Sequence, residues 1–305
     1  MRAMGGFPRV SRCRGARLVT ALAVMWFGWL AAPSAEAAGP VLVGAGDIAQ
    51  CNSSGDGATA RLLASTGGTV FTLGDNVYED GTAKEFRACF GPTWGRFKSR
   101  IRPAVGNHEY QSAWARAYWD YFGSRAGPKG KGWYSYSTGA WRVIVLNSNC
   151  AKVGCRKGSE QERWLRAELA RHNNKCTLAY FHHPRFSSDD NHGNAREVAP
   201  FWEALYDHGA DLVLSGHAHS YERFAPQTPW GKHDASHGIR QIVVGTGGAP
   251  LYRMGSTRPN SQARNTHTLG VLKLNLSSDS YRWSFIPQAG KRFRDSGHGK
   301  CHGRP

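Results

Sequence analysis

The chain has 305 residues, 40% of them hydrophobic, and a formal net charge of +17 at pH 7. This length suits one large α/β domain with an extensive core. The positive charge would attract anionic substrates, but no segment interleaves aromatic residues with clustered Lys and Arg as a nucleic-acid groove does. Dedicated nucleic-acid binding is therefore not expected.

The N-terminus has the three parts of a secretory signal peptide. Five Arg residues precede or flank an apolar run over residues 18–32, and small residues surround Glu36. The apolar run is about 15 residues long, short of the roughly 20 that a membrane span requires. We therefore predict a signal peptide over residues 1–37, one folded domain over residues 38–305, a secreted or extracytoplasmic location and no membrane span after cleavage. A retained membrane anchor is the alternative.

Six cysteines follow the predicted cleavage site: Cys51, Cys89, Cys150, Cys155, Cys176 and Cys301. An even number in an exported chain predicts three disulfides, with 15 possible pairings. The short spacing favours a Cys150–Cys155 pair, and Cys301 is expected to hold the C-terminal tail. No Cys-x-x-Cys spacing supports a structural zinc site.

Short apolar runs alternate with helical patterns through most of the chain. The predicted strands cover residues 41–45, 69–73, 102–105, 133–137, 141–146, 177–181, 212–214, 239–244, 269–274 and 281–286. The predicted helices cover residues 58–65, 82–98, 113–122, 159–171 and 198–206. The early alternation indicates β-α units, and the helix-poor end indicates an antiparallel run. The polar loops at residues 227–237 and 253–267 are expected to frame a site.

Five short polar blocks each follow an apolar run that ends in a turn. They cover residues 45–47, 74–78, 106–109, 181–184 and 215–219. The carboxyl ends of strands in α/β sheets are where ligands bind, so these blocks are expected to meet. Their candidate ligands are Asp47, Asp75, Tyr78, Asn107, His182, His217 and His219.

This set of hard oxygen and imidazole donors suits a pair of metal ions. Asp75 is the expected bridge between the two ions, since one carboxylate can hold two cations. Asp47 would serve one ion and Asn107 the other. The sequence therefore predicts a two-metal hydrolase.

The blocks resemble those of the calcineurin-like metallophosphoesterase superfamily, and more closely its purple acid phosphatase branch. Most of the superfamily carries Asp-x-His in the first block, but Ala49 stands at that His position here. The purple branch instead uses a Tyr three residues after the bridging Asp, where Tyr78 stands. The resemblance implies a four-layer αββα sandwich, in which two mixed β-sheets are flanked by helices and the dinuclear site lies at the strand ends. It assigns residues 38–305 to the catalytic domain.

By position, the resemblance implies two metal sites that share Asp75. Asp47, Tyr78 and His219 would complete the first site, which holds Fe³⁺ in the purple branch. Asn107, His182 and His217 would complete the second site, for Fe²⁺, Zn²⁺ or Mn²⁺. The family pattern His-x-Pro selects His182 over the adjacent His183 as the ligand.

Two further histidines are candidate catalytic residues. The resemblance places His108 against the substrate phosphate and His192 near the position of the acid that protonates the leaving group. Two cations would lower the pKa of a water molecule, so hydroxide could attack phosphorus without a protein nucleophile. The implied substrate is a small phosphate monoester. The alternatives are a phosphodiesterase or nucleotidase on the same scaffold, and a non-catalytic basic protein that binds polyanions.

Overall fold

The computed structural model describes residues 6–11 and 39–303. Residues 6–11 contain no regular secondary structure, and every strand and helix of the described residues lies in the unit Ala38–Pro305. Apart from residues 6–11, the predicted signal peptide lies outside the described residues. None of the helices in the described ranges is long and apolar enough to cross a membrane.

Strands outnumber helices in the described residues. The strands are β1 Val41–Ala45, β2 Ala49–Gln50, β3 Thr69–Leu73, β4 Val77–Tyr78, β5 Ile101–Ala104, β6 Tyr134–Thr138, β7 Trp141–Val145, β8 Cys176–Tyr180, β9 Leu212–Ser215, β10 Tyr221–Phe224, β11 Arg240–Val244, β12 Ser261–Asn265, β13 Gly270–Leu276, β14 Ser280–Pro287 and β15 Ser296–Lys300. The α-helices are α1 Gly55–Ala64, α2 Ala83–Glu85, α3 Arg116–Phe122, α4 Cys150–Val153, α5 Glu160–Arg171 and α6 Ala199–Asp207. Short 3-10 helices cover Trp94–Arg100, His108–Gln111, Ala113–Ala115, Gly123–Ala126 and Arg196–Val198, and a π-helical turn covers Phe86–Phe90.

Two mixed sheets form the centre of the fold. One has six strands in the order β15-β14-β13-β1-β3-β5, and the other has seven in the order β12-β10-β11-β9-β8-β7-β6. In the first sheet β1, β3 and β5 are parallel. In the second sheet β7, β8, β9 and β11 are parallel. The strands that precede the candidate ligands therefore run in the same direction within each sheet.

The apolar core lies between the two sheets and on the outer face of the seven-stranded sheet. The inner layer joins Val43 and Phe71 of the first sheet to Tyr180 and Leu214 of the second. The outer layer packs α5 and α6 against that second sheet, with Trp202 fully buried. Burial of large aromatic and branched side chains on both faces stabilises this stack. The four-layer αββα sandwich predicted from the resemblance is confirmed.

Several predicted elements are wrong in detail. The predicted helix over residues 82–98 is divided into α2, the π-helical turn and a 3-10 helix. The helix-poor end is only partly antiparallel, because β11 pairs with β9 in parallel. The edge strands β12 and β15 were not predicted, since polar residues and glycine dominate them and they lack an apolar alternation.

Three disulfides link the six cysteines of this unit. They are Cys51–Cys89, Cys150–Cys155 and Cys176–Cys301. The expected Cys150–Cys155 pair is confirmed, and Cys301 attaches the C-terminal residues to the beginning of β8. The Cys51–Cys89 pair joins the loop after β2 to the π-helical turn.

Candidate metal centre

The seven candidate ligands lie close to neighbouring strand ends, six of them in loops and Tyr78 in the short strand β4. Asp47 follows β1, Asp75 follows β3 and Asn107 follows β5 in the first sheet, while His182 follows β8 and His217 follows β9 in the second. Backbone hydrogen bonds join these loops directly. The Asp47 amide donates to Gly74 O at 3.1 Å, and the Gly216 amide donates to His182 O at 3.0 Å. The sandwich therefore brings five separate sequence blocks to one point.

The backbone at this point is unusual in two respects. Asp47, Asp75 and His217 have φ values of 59°, 45° and 68°, which non-glycine residues rarely adopt. Glycines permit the close approach of the loops: a Cβ on Gly106 would lie 2.1 Å from Asp75 Oδ1. Backbone strain of this kind persists where the surrounding structure enforces it, commonly at functional sites.

The phenol oxygen of Tyr78 lies at the centre of the first group of donors. It is 2.9 Å from Asp47 Oδ1, 3.1 Å from Asp75 Oδ2 and 2.9 Å from His219 Nε2. Ligands bound at about 2.0–2.2 Å to one ion lie roughly 3 Å apart from each other. These four side chains are buried and fit one cation with a mainly oxygen environment.

The second group of donors surrounds Nε2 of His182. This atom is 2.9 Å from Asn107 Oδ1, 3.2 Å from Asp75 Oδ2 and 3.1 Å from His217 Nδ1. Asp75 Oδ2 thus belongs to both groups, as a bridging carboxylate requires. The donor set and its spacing fit two cations that share Asp75.

Backbone carbonyls orient two of the imidazoles. His182 Nδ1 donates to Leu73 O at 2.8 Å, and His219 Nδ1 donates to Pro250 O at 2.7 Å. These hydrogen bonds place a proton on Nδ1, so that Nε2 is the nitrogen that faces the other candidate ligands and could bind a cation once deprotonated. Metal-binding histidines are commonly held in this way.

Burial and charge leave the donors partly protonated. Burial raises the pKa of the Asp47 carboxyl to about 7. Burial, together with Asp47 and Asp75, raises the pKa of the Tyr78 phenol well above its usual value. Burial disfavours a charged His182, but the Asp75 carboxylate outweighs it and raises that pKa to about 9. Cation binding would displace these protons, because the ligating forms are deprotonated.

Glu109 is a buried residue of the candidate site to which the sequence reasoning gave no role. Its carboxylate is fully buried and accepts hydrogen bonds from the amides of Asn76 at 2.7 Å, Val77 at 3.3 Å and Gly106 at 2.7 Å. It therefore ties the loop that carries Asp75 and Tyr78 to the loop that carries Asn107. The only sequence signal for this role was its place in the same polar block as Asn107, two residues further along the chain.

His108 lies beside the first group of donors. Its amide donates to Asp75 Oδ1 at 2.9 Å, and its ring is 4.4 Å from the ring of Tyr78. Its Nδ1 donates to Glu79 O at 2.5 Å, which leaves Nε2 on the side of Asp75, 3.9 Å from Oδ2. The structure thus brings His108 to the site.

His192 and His183 lie beside the second group. The His192 ring is 4.1 Å from the ring of His217, and its amide is held by Asp189 Oδ2 at 2.8 Å. His183 Nδ1 is 2.8 Å from Ser148 Oγ, and its ring is 4.4 Å from that of His217. All nine residues of the predicted site are therefore brought together, and His183 lies at its rim.

Only one of the two polar loops expected at the site lies there. Tyr252, immediately before the second loop, stacks on His219 with ring centres 3.9 Å apart, and Met254 within the loop pairs with Asp189. The loop over residues 227–237 instead joins β10 to the beginning of β11. Arg240 at the beginning of β11 is aligned with Leu212 at the beginning of β9, and the two strands are parallel. The loop therefore lies near the amino ends of these strands, whereas His217 follows the carboxyl end of β9.

Comparison with known proteins identifies the family. The model of the family described as calcineurin-like phosphoesterase matches residues 42–221. An uncharacterized protein of Mycobacterium tuberculosis is 33% identical over 183 residues, which cover 48% of this chain and 35% of that protein. Purple acid phosphatase 15 of Arabidopsis thaliana is 26% identical over 200 residues, covering 54% of this chain and 37% of that enzyme.

A solved structure shows the same architecture. A purple acid phosphatase from yellow lupin (Lupinus luteus) seeds superposes with a TM-score of 0.69 at 18% identity, covering 85% of this chain and 53% of that one. The chain thus spans about a third to a half of the length of these proteins. With its fold and motifs, it belongs to the calcineurin-like phosphoesterase family, which uses a dinuclear metal site.

Proposed function

We propose that this protein is an extracytoplasmic two-metal phosphomonoesterase. One observation carries the proposal: the donor atoms form two overlapping groups that share Asp75 Oδ2. Family membership supports metal-dependent hydrolysis of phosphate esters. Residues 38–305 form the catalytic domain, and residues 1–37 form the signal peptide. The three disulfides support export, since such bonds persist in oxidising compartments.

The residues present fit two different metal sites. Asp47, Asp75, Tyr78 and His219 would hold the first cation, and a phenolate ligand suits Fe³⁺. Asp75, Asn107, His182 and His217 would hold the second, for which Fe²⁺, Zn²⁺ or Mn²⁺ are suitable. When bound, the cations supply positive charge against the phosphate and acidify a water molecule.

The histidines at the rim supply protons and hydrogen bonds. His108 Nδ1 is occupied by Glu79 O, so a second proton would sit on Nε2, facing the position of a phosphate oxygen. The His192 ring lies 4.1 Å from that of His217, and from this position we expect it to protonate the leaving oxygen. A donor at His108 favours a dianionic monoester, because the second charged non-bridging oxygen gains a hydrogen bond there.

A paired assay tests the proposal. Metal-analysed protein is given an aryl phosphate monoester and the matching diester across acidic to alkaline pH. We expect faster turnover of the monoester, and a loss of at least about 1000-fold in Asp75→Asn with the fold retained, because both cation sites lose their shared charge. Faster turnover of the diester would show a phosphodiesterase instead. Undiminished turnover in Asp75→Asn would overturn the proposed site.

A further inference from the structure

His192 lies on a loop that has no helix or strand of its own. This segment, the His192 loop, covers residues 185–194. Its ends meet where the Ala195 amide donates to Pro184 O at 2.9 Å, and the Asp189 carboxylate accepts from the His192 amide at 2.8 Å. Loops without regular structure are mobile unless other segments anchor them. The side chains that anchor this loop therefore determine where the His192 imidazole lies.

Ser188 is an anchor point of the His192 loop, and it is buried. Its amide and its Oγ donate to the Glu222 carboxylate at 2.8 and 2.6 Å. Its carbonyl and its Oγ accept from the amides of Gly255 and Arg258, both at 2.9 Å. Every polar atom of Ser188 is thus bonded to residues outside the His192 loop.

Glu222, which binds Ser188, is a fully buried carboxylate on β10. It also accepts from Ser261 Oγ at 2.6 Å. A buried carboxylate is costly unless hydrogen bonds satisfy its oxygens, and Ser188 supplies two of the three found here. Because β10 begins two residues after His219, one segment carries both a candidate ligand and the anchor of the His192 loop. Glu222 therefore fixes the loop relative to the metal centre.

Gln241 on β11 provides a second anchor. Its side chain is fully buried, and it accepts from the Phe186 amide at 3.2 Å and donates to Phe186 O at 2.5 Å. Glu222 is aligned with Val243, two residues from Gln241, so the two side chains lie on the same face of the sheet. The His192 loop is thus held against this face at Phe186 and again at Ser188.

We propose that Glu222 is a positioning residue for His192. The inference rests on the proposed function, in which His192 protonates the leaving oxygen. That step requires the imidazolium within hydrogen-bond distance of the oxygen, so a shift of the loop slows it. The proton passes from His192 to this oxygen as its bond to phosphorus breaks and a water oxygen bonds to phosphorus, which yields an alcohol and orthophosphate. Glu222 takes no proton and acts only through Ser188.

Two substrates separate this role from a general loss of structure. The alkoxide of glycerol 2-phosphate needs a proton to leave, whereas 2,4-dinitrophenolate leaves without one. In Glu222→Met the Ser188 amide loses its acceptor while the side-chain length is kept, so we expect kcat/KM for glycerol 2-phosphate to fall about 10- to 100-fold. The value for 2,4-dinitrophenyl phosphate should change less than about twofold. Glu222→Gln keeps an acceptor for the amide and should retain most of both activities.

Three measurements control for indirect effects. His192→Ala should show the same selective loss, and adding Glu222→Met to it should cost little more, because both act on one proton transfer. Metal analysis of Glu222→Met should find as much bound metal as in the wild type, which shows that the candidate ligands are undisturbed. Asp295→Asn alters a carboxylate that bonds to the neighbours of Glu222 on β10, and it should leave both activities unchanged.

Melting temperatures verify that each variant folds. If Glu222→Met does not fold, Ser188→Ala removes part of the same contact and should lower the glycerol 2-phosphate activity alone, by about fivefold. Equal losses on both substrates, or no loss on glycerol 2-phosphate, in the folded variant would overturn the positioning role and leave the phosphatase intact. Absence of hydrolysis of both substrates by the metal-loaded wild type would overturn the proposed function as well.

Discussion

Tyr78 and Ala49 illustrate how single residues define the first cation site. Strands β2 and β4 pair in parallel, with Ala49 aligned to Val77 and Gln50 aligned to Tyr78. Position 49, where the family resemblance would place a histidine ligand, is Ala, on the strand that pairs with the one carrying Tyr78. The Tyr78 oxygen reaches Asp47, Asp75 and His219. We propose that Tyr78 takes the place of the missing histidine among the ligands of the first cation.

Removal of the phenol oxygen should affect the metal rather than the fold. In Tyr78→Phe the ring still packs on His108, so we expect the melting temperature of the metal-free protein to change little. Affinity for the first cation should fall roughly 100-fold, because an anionic ligand is lost. Metal analysis and the visible absorption of an Fe³⁺–phenolate measure this. Retention of both iron and its absorption in the variant would show that Tyr78 is only a packing residue.

Glu109 should act through the ligands that it positions. A glutamine at 109 replaces one acceptor oxygen with an amide that faces backbone N–H groups, so we expect about 1–3 kcal/mol of lost stability. Metal affinity should fall roughly 10- to 100-fold, as for other residues that orient ligands. Chemical denaturation and metal titration of Glu109→Gln measure the two effects. A variant that loses stability but binds metal normally would contradict the positioning role.

At the scale of elements, Asp295 joins the two sheets. Its carboxylate accepts from Tyr221 Oη at 2.6 Å and Arg223 Nε at 2.7 Å on β10, and from Trp283 Nε1 at 3.0 Å on β14. Burial alone would raise the pKa of Asp295, but the hydrogen bonds from Arg223 and Tyr221 outweigh it and lower that pKa below its usual value. The ionised form thus fastens β10 of the seven-stranded sheet to β14 of the six-stranded sheet.

The hydrogen bonds to Asp295 should make the free energy of unfolding depend on pH. A carboxyl whose pKa is lower in the folded state contributes stability above its unfolded pKa of about 3.9, and loses it as the pH falls through the folded value. Asp295→Asn should therefore cost about 1–3 kcal/mol near neutral pH, and less below about pH 4. Urea denaturation of both proteins at several pH values measures the difference. A difference that grows on acidification would contradict this account.

At the scale of the whole molecule, the disulfides constrain the chain over very different distances. Cys176–Cys301 spans 125 residues, whereas Cys150–Cys155 spans 5. Closing a longer loop removes more entropy from the unfolded chain. The long disulfide also holds β15 and the C-terminal residues against the beginning of β8. It therefore contributes to the global stability, while the short one closes a tight loop around α4.

Paired replacement separates these roles. We expect Cys176→Ala with Cys301→Ala to lower the free energy of unfolding by about 4–5 kcal/mol, and Cys150→Ala with Cys155→Ala by about 2 kcal/mol. Equilibrium denaturation under oxidising conditions measures both. A greater loss from the short pair would mean that its native packing, rather than loop closure, dominates.

The blocks that hold the candidate ligands could be predicted, because each is a short polar motif directly after an apolar strand and can be recognised from neighbouring residues alone. Asp47 and His217 are 170 residues apart, yet both were identified from their own motifs. Glu109 was missed because its role depends on amides contributed by another loop. The position of residues 227–237 was also wrong, because it depends on the parallel pairing of β11 with β9. Pairings between distant segments, including Cys176–Cys301, likewise arise only in the folded sandwich.

The most direct test of the central claim is the metal content of the folded protein after saturation and removal of free ions. The account predicts two ions per chain for the wild type. It predicts at most one for Asp75→Asn, because both groups of donors share that carboxylate. A single ion in the wild type, or two tightly held ions in folded Asp75→Asn, would contradict the bridged two-metal centre.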